Sequence, residues 1–197
     1  MDLGLSVVWY RCNVGASASD PIGGYYNWGL TDPCTKGEEN FDFWYTGRLD
    51  DMLDAEHDAA TQALGNGWRT PTQEEFAELT DTTKCRYEWI TAGESEYWVP
   101  GIRFISKVKG YEGNSIFFPA GGYHAPQGRM YQVGSWGYYW TATHDMPYEE
   151  GEATYADSSV SFAFTWDTSK HIGFVTASDS YVRYQGLCIR PCRSRNW

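Results

Sequence analysis

Aromatic residues constrain the fold of this chain more than any other feature of its sequence. Ten Trp, fifteen Tyr and nine Phe occur among 197 residues, together with 21 Gly, and no long aliphatic stretch accompanies them. This mixture is typical of many short strands and ordered loops around an aromatic core, rather than of packed helices. The length suffices to bury one such core, so we expect a single domain over residues 1–197.

The charge balance excludes one large class of partners. The formal net charge is −11, and the few Lys and Arg residues are scattered rather than clustered. Binding to phosphate backbones requires clustered positive charge, so we expect no nucleic-acid partner. No apolar run reaches the length of a membrane span, and no signal peptide is visible at the start.

A first helix is predicted at about residues 52–64. Ala55, Ala59 and Ala63 recur there at roughly helical spacing, and the pattern stops at Gly65-Asn66-Gly67. This predicted helix precedes most of the predicted strands.

A second helix is predicted to begin at Thr70. Thr70 is suited to the N-cap, Pro71 to the first helical position, and Gln73 to completing a capping box. Phe76 and Leu79 are then expected to face inward.

Most of the remaining chain is predicted to form strands and loops. The N-terminal candidate strands are 3–13 and 25–28, and residues 31–50 and 147–159 are predicted as loops. The later candidate strands are 87–91, 101–107, 115–118, 138–142, 160–165, 172–175 and 187–190. Two helices within a mostly β chain predict the α+β class.

Several stretches occur in an order that resembles a known family. They are DLGLSVVWYRCNVGA (2–16), GGYYNWG (23–29), NGWRTPTQEEFAEL (66–79), GNSIFFPAGGY (113–123), GSWGYYWTAT (134–143) and QGLCIRPC (185–192). Together they resemble the fibrobacter-succinogenes-type major paralogous domain of Bacteroidetes surface proteins, and the resemblance runs over nearly the whole chain.

The resemblance implies a fold and a location. That family is similar in fold to the formylglycine-generating enzyme, a branch of the C-type-lectin fold that also contains the variable proteins of diversity-generating retroelements. We therefore expect a C-type-lectin-like fold, with two helices in the N-terminal half and short antiparallel strands joined by long loops. Members are typically exported, so an upstream leader and a location at the cell surface, outside the cell or on a phage particle are expected.

In the retroelement variable proteins the ligand-contacting positions lie in the C-terminal part, which corresponds here to about residues 136–185. This interval is dense in Trp, Tyr, His, Asp and Ser, the residue mixture that antibody loops use for adaptable contact. The candidate ligand-binding residues are Trp136, Tyr138, His144, Asp145, Met146, Tyr148, Trp166, His171, Asp179, Tyr181, Tyr184 and Gln185. Tyr139 and Trp140 are expected to be buried, and Arg190 to donate hydrogen bonds to backbone carbonyls.

We expect the cysteines to have structural roles. Five are present, with no spacing typical of zinc sites. Because the two ends of a C-type-lectin-like fold usually lie side by side, a disulfide between Cys12 and either Cys192 or Cys188 is one hypothesis. Cys188 and Cys192 are four residues apart, and a copper-binding pair there would fit a formylglycine-generating oxidase, which we treat as the weakest alternative.

The sequence gives little support for a calcium site or for a catalytic site. The acidic residues Glu149, Glu150, Glu152 and Asp157 offer oxygen ligands to a cation, but calcium-lectin triplets such as Glu-Pro-Asn are missing, and an acidic loop is usually just solvated. The four histidines show no metal spacing and no nucleophile motif occurs, so we expect no catalysis, no bound metal and no cofactor.

The sequence therefore predicts a recognition or adhesion domain that binds a protein or glycan receptor through its C-terminal loops. A retroelement-diversified variable protein is the narrower form of this prediction. The alternative from another class is a structural subunit of a cell-surface or pilus-tip assembly.

Overall fold

The computed structural model of the chain describes residues 1–35, 52–95, 98–144, 158–167 and 172–196. Over these ranges the fold is mixed, with two short helices and mainly antiparallel strands. The helices are α1 (Ala59–Leu64) and α2 (Gln73–Thr80). The strands are β1 (Val7–Trp9), β2 (Cys85–Ile90), β3 (Gly101–Ser106), β4 (Ser115–Pro119), β5 (Tyr123–His124), β6 (Met130–Tyr131), β7 (Trp136–His144), β8 (Ser158–Asp167), β9 (Ile172–Val182) and β10 (Cys192–Ser194).

The described strands form four small sheets. The orders are β1-β10, β2-β3-β4, β5-β6 and β7-β8-β9, and every pairing within them is antiparallel. The first of these sheets joins the two ends of the described chain, with Val7 opposite Ser194 and Trp9 opposite Cys192. The expectation that the ends lie side by side is confirmed.

The first helix is shorter than predicted. It begins at Ala59 because the buried carboxylate of Asp58 caps it, accepting from the Ala60 amide at 3.0 Å. The same carboxylate accepts from the amide and hydroxyl of Thr70, at 2.9 and 2.6 Å. The predicted start at Met52 is wrong, since residues 52–58 form a bridge to Thr143 and a turn instead.

The second helix begins two residues later than predicted. Its N-cap is Thr72, whose hydroxyl accepts from the Glu75 amide, while the Glu75 carboxylate accepts from the Thr72 amide, forming a capping box. Thr70 is not the cap, because its hydroxyl donates to Asp58. Phe76 and Leu79 are fully buried, as expected.

The predicted strands agree with the structure to within a few residues, with four exceptions, one of which is β9, because it continues for seven residues past the predicted 172–175. The first strand is confined to Val7–Trp9, because loops surround it on both sides. Within 25–28 only Tyr26 forms a bridge, and its partner is Leu187. The predicted strand 187–190 forms single bridges, and the last strand is β10.

The main core is aromatic and lies between α2 and the two three-stranded sheets, β2-β3-β4 and β7-β8-β9. The ring of Phe76 on α2 stacks on Phe162 of β8, with centroids 4.6 Å apart and an angle of 11°. Phe118 of β4 contacts five further rings, those of Trp9, Phe76, Phe104, Tyr139 and Phe162. Tyr139 is completely buried here, as expected from the sequence.

A second, smaller core lies on the other face of β7 and β8. Its buried members include Tyr138, Trp140 and Ala163, and Trp140 Nε1 donates to the Tyr26 carbonyl at 2.6 Å. Trp140 is 1% exposed, which confirms the expected burial. Partly buried rings continue this core toward the solvent.

Candidate functional site

Six aromatic side chains from four strands meet where the second core reaches the surface. We call this set the aromatic face. Its members are joined by ring contacts with centroids between 4.8 and 6.3 Å apart. They are Tyr123, Tyr131, Trp136, Tyr138, Phe174 and Tyr181.

The pleat of β7 places two of these rings on one side of the sheet. Trp136 and Tyr138 are two residues apart, so both point to the same face. Their rings are parallel to within 2° and their centroids lie 5.4 Å apart. The intervening Gly137 faces the main core, where a Cβ atom would lie 2.1 Å from Cζ of Phe164. Glycine at this position therefore lets β7 pack closely against Phe164 while presenting both rings on the opposite side.

Small residues on β8 leave room for these rings. Thr165 lies opposite Trp136, and Ala163 lies opposite Tyr138. Phe174 on β9 is the other neighbour of Thr165. Directly paired residues share a face, so Trp136 and Phe174 flank a short side chain and contact each other at 6.3 Å.

The short β5–β6 hairpin supplies the remaining edge of the aromatic face. Tyr123 and Tyr131 are directly paired, and their rings stack with centroids 5.4 Å apart. Tyr123 also contacts Tyr138 at 5.8 Å and Tyr181 at 5.5 Å. The hairpin is thereby packed against β7 and β9 through aromatic contacts.

The polar ends of the tyrosines form a small network. The Tyr138 hydroxyl donates to Oε1 of Gln132 at 2.8 Å. Burial raises the pKa of Tyr138, and a hydrogen bond with Tyr181 and the nearby charge of Asp179 raise it further. Burial also raises the pKa of Tyr181, so both phenols stay neutral over the physiological pH range.

The exposure of the face is graded. Phe174 and Tyr131 are 48% and 41% exposed, Trp136, Tyr123 and Tyr181 are half-buried, and Tyr138 is buried. The two exposed rings therefore rest on a packed aromatic layer rather than projecting freely. Such an arrangement offers rigid apolar contact area with neutral hydroxyl groups at its border.

The structure brings together some of the residues predicted to bind ligand. Trp136, Tyr138 and Tyr181 belong to the aromatic face. Asp179 is not a member, but its negative charge raises the pKa of Tyr138. Four other predicted residues lie outside the described residues, so their placement is not part of the structure: Asp145, Met146, Tyr148 and His171.

The other predicted ligand-binding residues lie elsewhere. His144 is buried at the end of β7, where its ring lies 5.7 Å from that of Trp28. Trp166 lies two residues after Phe164 on β8 and so shares its side of the sheet, opposite to the aromatic face, with its indole packed over Gly173. Tyr184 and Gln185 are half-buried in the turn after β9.

Three members of the aromatic face were missed by sequence reasoning: Tyr123, Tyr131 and Phe174. The first two precede the interval that the family resemblance singled out. Phe174 lies within the interval, and its place in the predicted strand 172–175 was the available signal. The stacking of Tyr123 on Tyr131 depends on the β5–β6 register, which no local pattern indicated.

All five cysteines lie in the described ranges and none of them forms a disulfide, so the predicted disulfide of Cys12 is wrong for this structure. Cys192 Sγ lies 3.4 Å from both Nη1 of Arg69 and Oε2 of Glu75. Cys188 Sγ lies 3.9 Å from the Ile22 carbonyl oxygen. Each of these buried thiols therefore faces protein groups other than Cys12, and the two face different neighbours, which does not favour a shared copper ion.

Metal-binding groups of three or more His, Cys, Asp or Glu residues are not found within the described ranges. The acidic candidates Glu149, Glu150, Glu152 and Asp157 lie outside those ranges. Neither described helix is long and apolar enough to cross a membrane.

Comparison with protein-family models, with curated proteins and with solved structures finds no match to this chain. Its function is therefore inferred from the geometry of the aromatic face.

Proposed function

We propose that this chain is a recognition domain that binds a protein or glycan receptor through the aromatic face. The observation that carries the proposal is the placement of two exposed rings, Phe174 and Tyr131, on a packed layer of half-buried aromatic side chains. Exposed aromatic area that is continuous with the core is a recurring mark of interaction surfaces.

The packing of the aromatic face favours affinity, because its side chains lose little conformational freedom when a receptor binds. Tyr and Trp have few rotatable bonds, and here their rings are already held by neighbours such as Trp136 on Tyr138. A preorganised surface loses less side-chain entropy on association than a flexible one.

The proposal extends to the fold family and the location. A single C-type-lectin-like domain is supported by the pairing of β1 with β10, which brings the two chain ends together, and by the mixed architecture. Display outside the cell is proposed from the family resemblance alone. In the narrower form, a retroelement-diversified protein would vary positions of residues 136–185, among them Trp136, Phe174 and Tyr181 of the aromatic face.

The experiment compares wild-type protein with the double variant Tyr131→Ser/Phe174→Ser. Both are presented as labelled tetramers to a glycan array and to intact bacterial cells with and without protease treatment, so that binding to the array indicates a glycan receptor and protease-sensitive binding to cells indicates a protein receptor. The matched control is Tyr87→Ser, because Tyr87 is 40% exposed on β2, outside the aromatic face.

Wild-type and Tyr87→Ser protein should bind the same glycans or cells, and the double variant should lose binding. Surface substitutions change stability by about 0.5 kcal/mol, and the loss of one aromatic contact costs about 0.5–1.5 kcal/mol more at each position, so folding should be retained and is checked by thermal melting. Binding by the double variant equal to that of the wild type would overturn the proposal, as would no binding by wild-type tetramers to either target.

A further inference from the structure

A pocket of about 440 Å³ lies on a part of the molecule that shares no residue with the aromatic face. Its volume is within the range of small-molecule sites. The first loop after β1, the end of β4 and the segment before β10 build it. The lining residues are Tyr10, Arg11, Cys12, Ala16, Ser17, Ala18, Pro21, Phe117, Pro119 and Arg190.

The pocket combines positive charge with apolar walls. Arg11 and Arg190 line it, and none of its lining residues is an Asp or Glu. The walls include the rings of Tyr10 and Phe117 and two prolines. The chain as a whole has a formal net charge of −11, but this cavity is lined by two arginines and by no carboxylate. The charge around the cavity is therefore positive, opposite in sign to that of the chain.

The charge of Arg190 is not neutralised by any described carboxylate. Its guanidinium donates to Oδ1 of Asn13 and to the carbonyls of Tyr10, Arg11 and Phe117, at distances of 2.8 to 3.3 Å. All of these acceptors are neutral oxygens. Burial lowers the pKa of Arg190, which is 1% exposed, so an anion placed beside it would relieve an unfavourable buried charge.

Arg11 differs from Arg190 in what it offers. It is exposed and forms no ion pair with a residue in the described ranges. Arg190 therefore contributes a fixed positive field at the base of the pocket, while Arg11 contributes donors in the fork geometry that matches carboxylate and phosphate oxygens.

We propose that the pocket binds a small organic anion, with its carboxylate, sulfate or phosphate group at Arg11 and Arg190. The ring or apolar body of the ligand lies against Tyr10, Phe117 and the two prolines. The Cys12 thiol lies at the same pocket and is the only cysteine of this chain that is not buried. Occupancy therefore shields Cys12 from reagents in solution.

The test measures alkylation of Cys12 by neutral iodoacetamide in the folded protein, followed by mass spectrometry. The probes are benzoate, phenyl sulfate and phenyl phosphate, which separate the three anionic groups, and benzamide, their uncharged counterpart. Thermal melting with the same probes gives a second readout that does not use the thiol. We expect saturable protection and a raised melting temperature with at least one anion, and neither with benzamide.

Arg11→Gln should weaken the protection by roughly tenfold or more, the loss expected from one charged hydrogen bond. The matched control is Arg129→Gln, which removes the same charge from an exposed position outside the pocket. Unchanged melting of unliganded Arg11→Gln protein shows that the fold is intact. The proposal is overturned if no anion protects Cys12 or raises the melting temperature, if benzamide protects equally, or if both variants behave alike.

Discussion

Nε of Arg190 donates a hydrogen bond to Oδ1 of Asn13 at 2.8 Å, joining residues that are 177 positions apart in the chain. Nη1 of this guanidinium donates to the backbone carbonyls of Tyr10 and Arg11, and Nη2 donates to that of Phe117. Its carbon atom also lies 4.7 Å from the centre of the Phe118 ring. One side chain thus ties the segment before β10 to the loop after β1 and to β4.

Replacing this guanidinium should destabilise the whole domain. In Arg190→Lys the compact ammonium group cannot reach all four acceptors, so buried carbonyls lose their partners. We expect the free energy of unfolding to fall by about 2–5 kcal/mol, measured by urea denaturation. The control Arg86→Lys, at a side chain 58% exposed, should change it by less than about 0.5 kcal/mol. Equal unfolding midpoints for the two variants would contradict the structural role.

The glycine between the two stacked rings of β7 should not tolerate a side chain. A Cβ atom in Gly137→Ala would lie 2.1 Å from Cζ of Phe164, so the strand or the ring must shift. We expect a loss of about 1–3 kcal/mol in unfolding free energy and a changed near-UV circular dichroism spectrum. The matched variant Gly93→Ala, where no atom lies within 4 Å of the added Cβ, should leave the spectrum unchanged. An unperturbed Gly137→Ala protein would show that β7 is packed less tightly than described.

The pairing of Glu75 with Arg69 should make stability depend on pH in the acid range. Burial alone raises the pKa of Glu75, but the bidentate hydrogen bonds and charge of Arg69, with the Thr72 amide, outweigh it and hold the pKa below its usual 4.5. A lowered native pKa stabilises the fold above the unfolded-state pKa, and this contribution is lost as pH falls through the native pKa.

Glu75→Gln should therefore lower the unfolding free energy by about 1–3 kcal/mol at pH 7, and the difference from wild type should shrink below about pH 4.5. Glu74→Gln changes the net charge equally at an exposed position of the same helix turn and serves as the control. A difference that stays constant from pH 7 to pH 3 would show that the Glu75 carboxylate is not the responsible group.

Thiol reactivity should separate Cys12 from the other four cysteines. In the folded protein only Cys12 is partly exposed, and burial raises the pKa of Cys85 to about 11 and raises that of Cys192 as well. Thiolates are the reactive species, so Ellman's reagent should titrate one thiol under native conditions and five in denaturant. The variant Cys12→Ser should titrate none when folded. Fewer than five thiols in denaturant without reductant would reveal a disulfide.

Sequence reasoning succeeded where local chemistry dictates the outcome. The burial of Phe76 and Leu79 followed from the predicted second helix, and that of Tyr139 and Trp140 from the strand that the resembled family keeps aromatic. The backbone-donating role of Arg190 followed from its place in the closing segment, because a buried arginine must find several acceptors. The burial of Phe76 and Leu79 depends on the residue type and its immediate surroundings, whereas the acceptors of Arg190 lie in segments distant along the chain.

Sequence reasoning failed where a contact between segments distant in the chain decides the local structure. Thr70 and Thr72 are equally suited to cap α2, and only the contact of Thr70 with Asp58, twelve residues earlier, decides between them. The aromatic face was only half identified for the same reason. Its rings meet through the pairing of β5 with β6 and of β8 with β9, and register is set by tertiary packing rather than by composition.

The three-residue ladder between β1 and β10 has a mechanical consequence. Because Val7 lies opposite Ser194, the chain segments that flank the ladder leave it at the same end. Once the contacts of Met1 with Trp9 and of Asp2 with Val8 have broken, a force applied through both terminal segments would break the ladder one hydrogen bond at a time, starting from Val7 and Ser194, instead of loading all of the bonds together in shear. A domain tethered through only one of those segments would not experience this load at all.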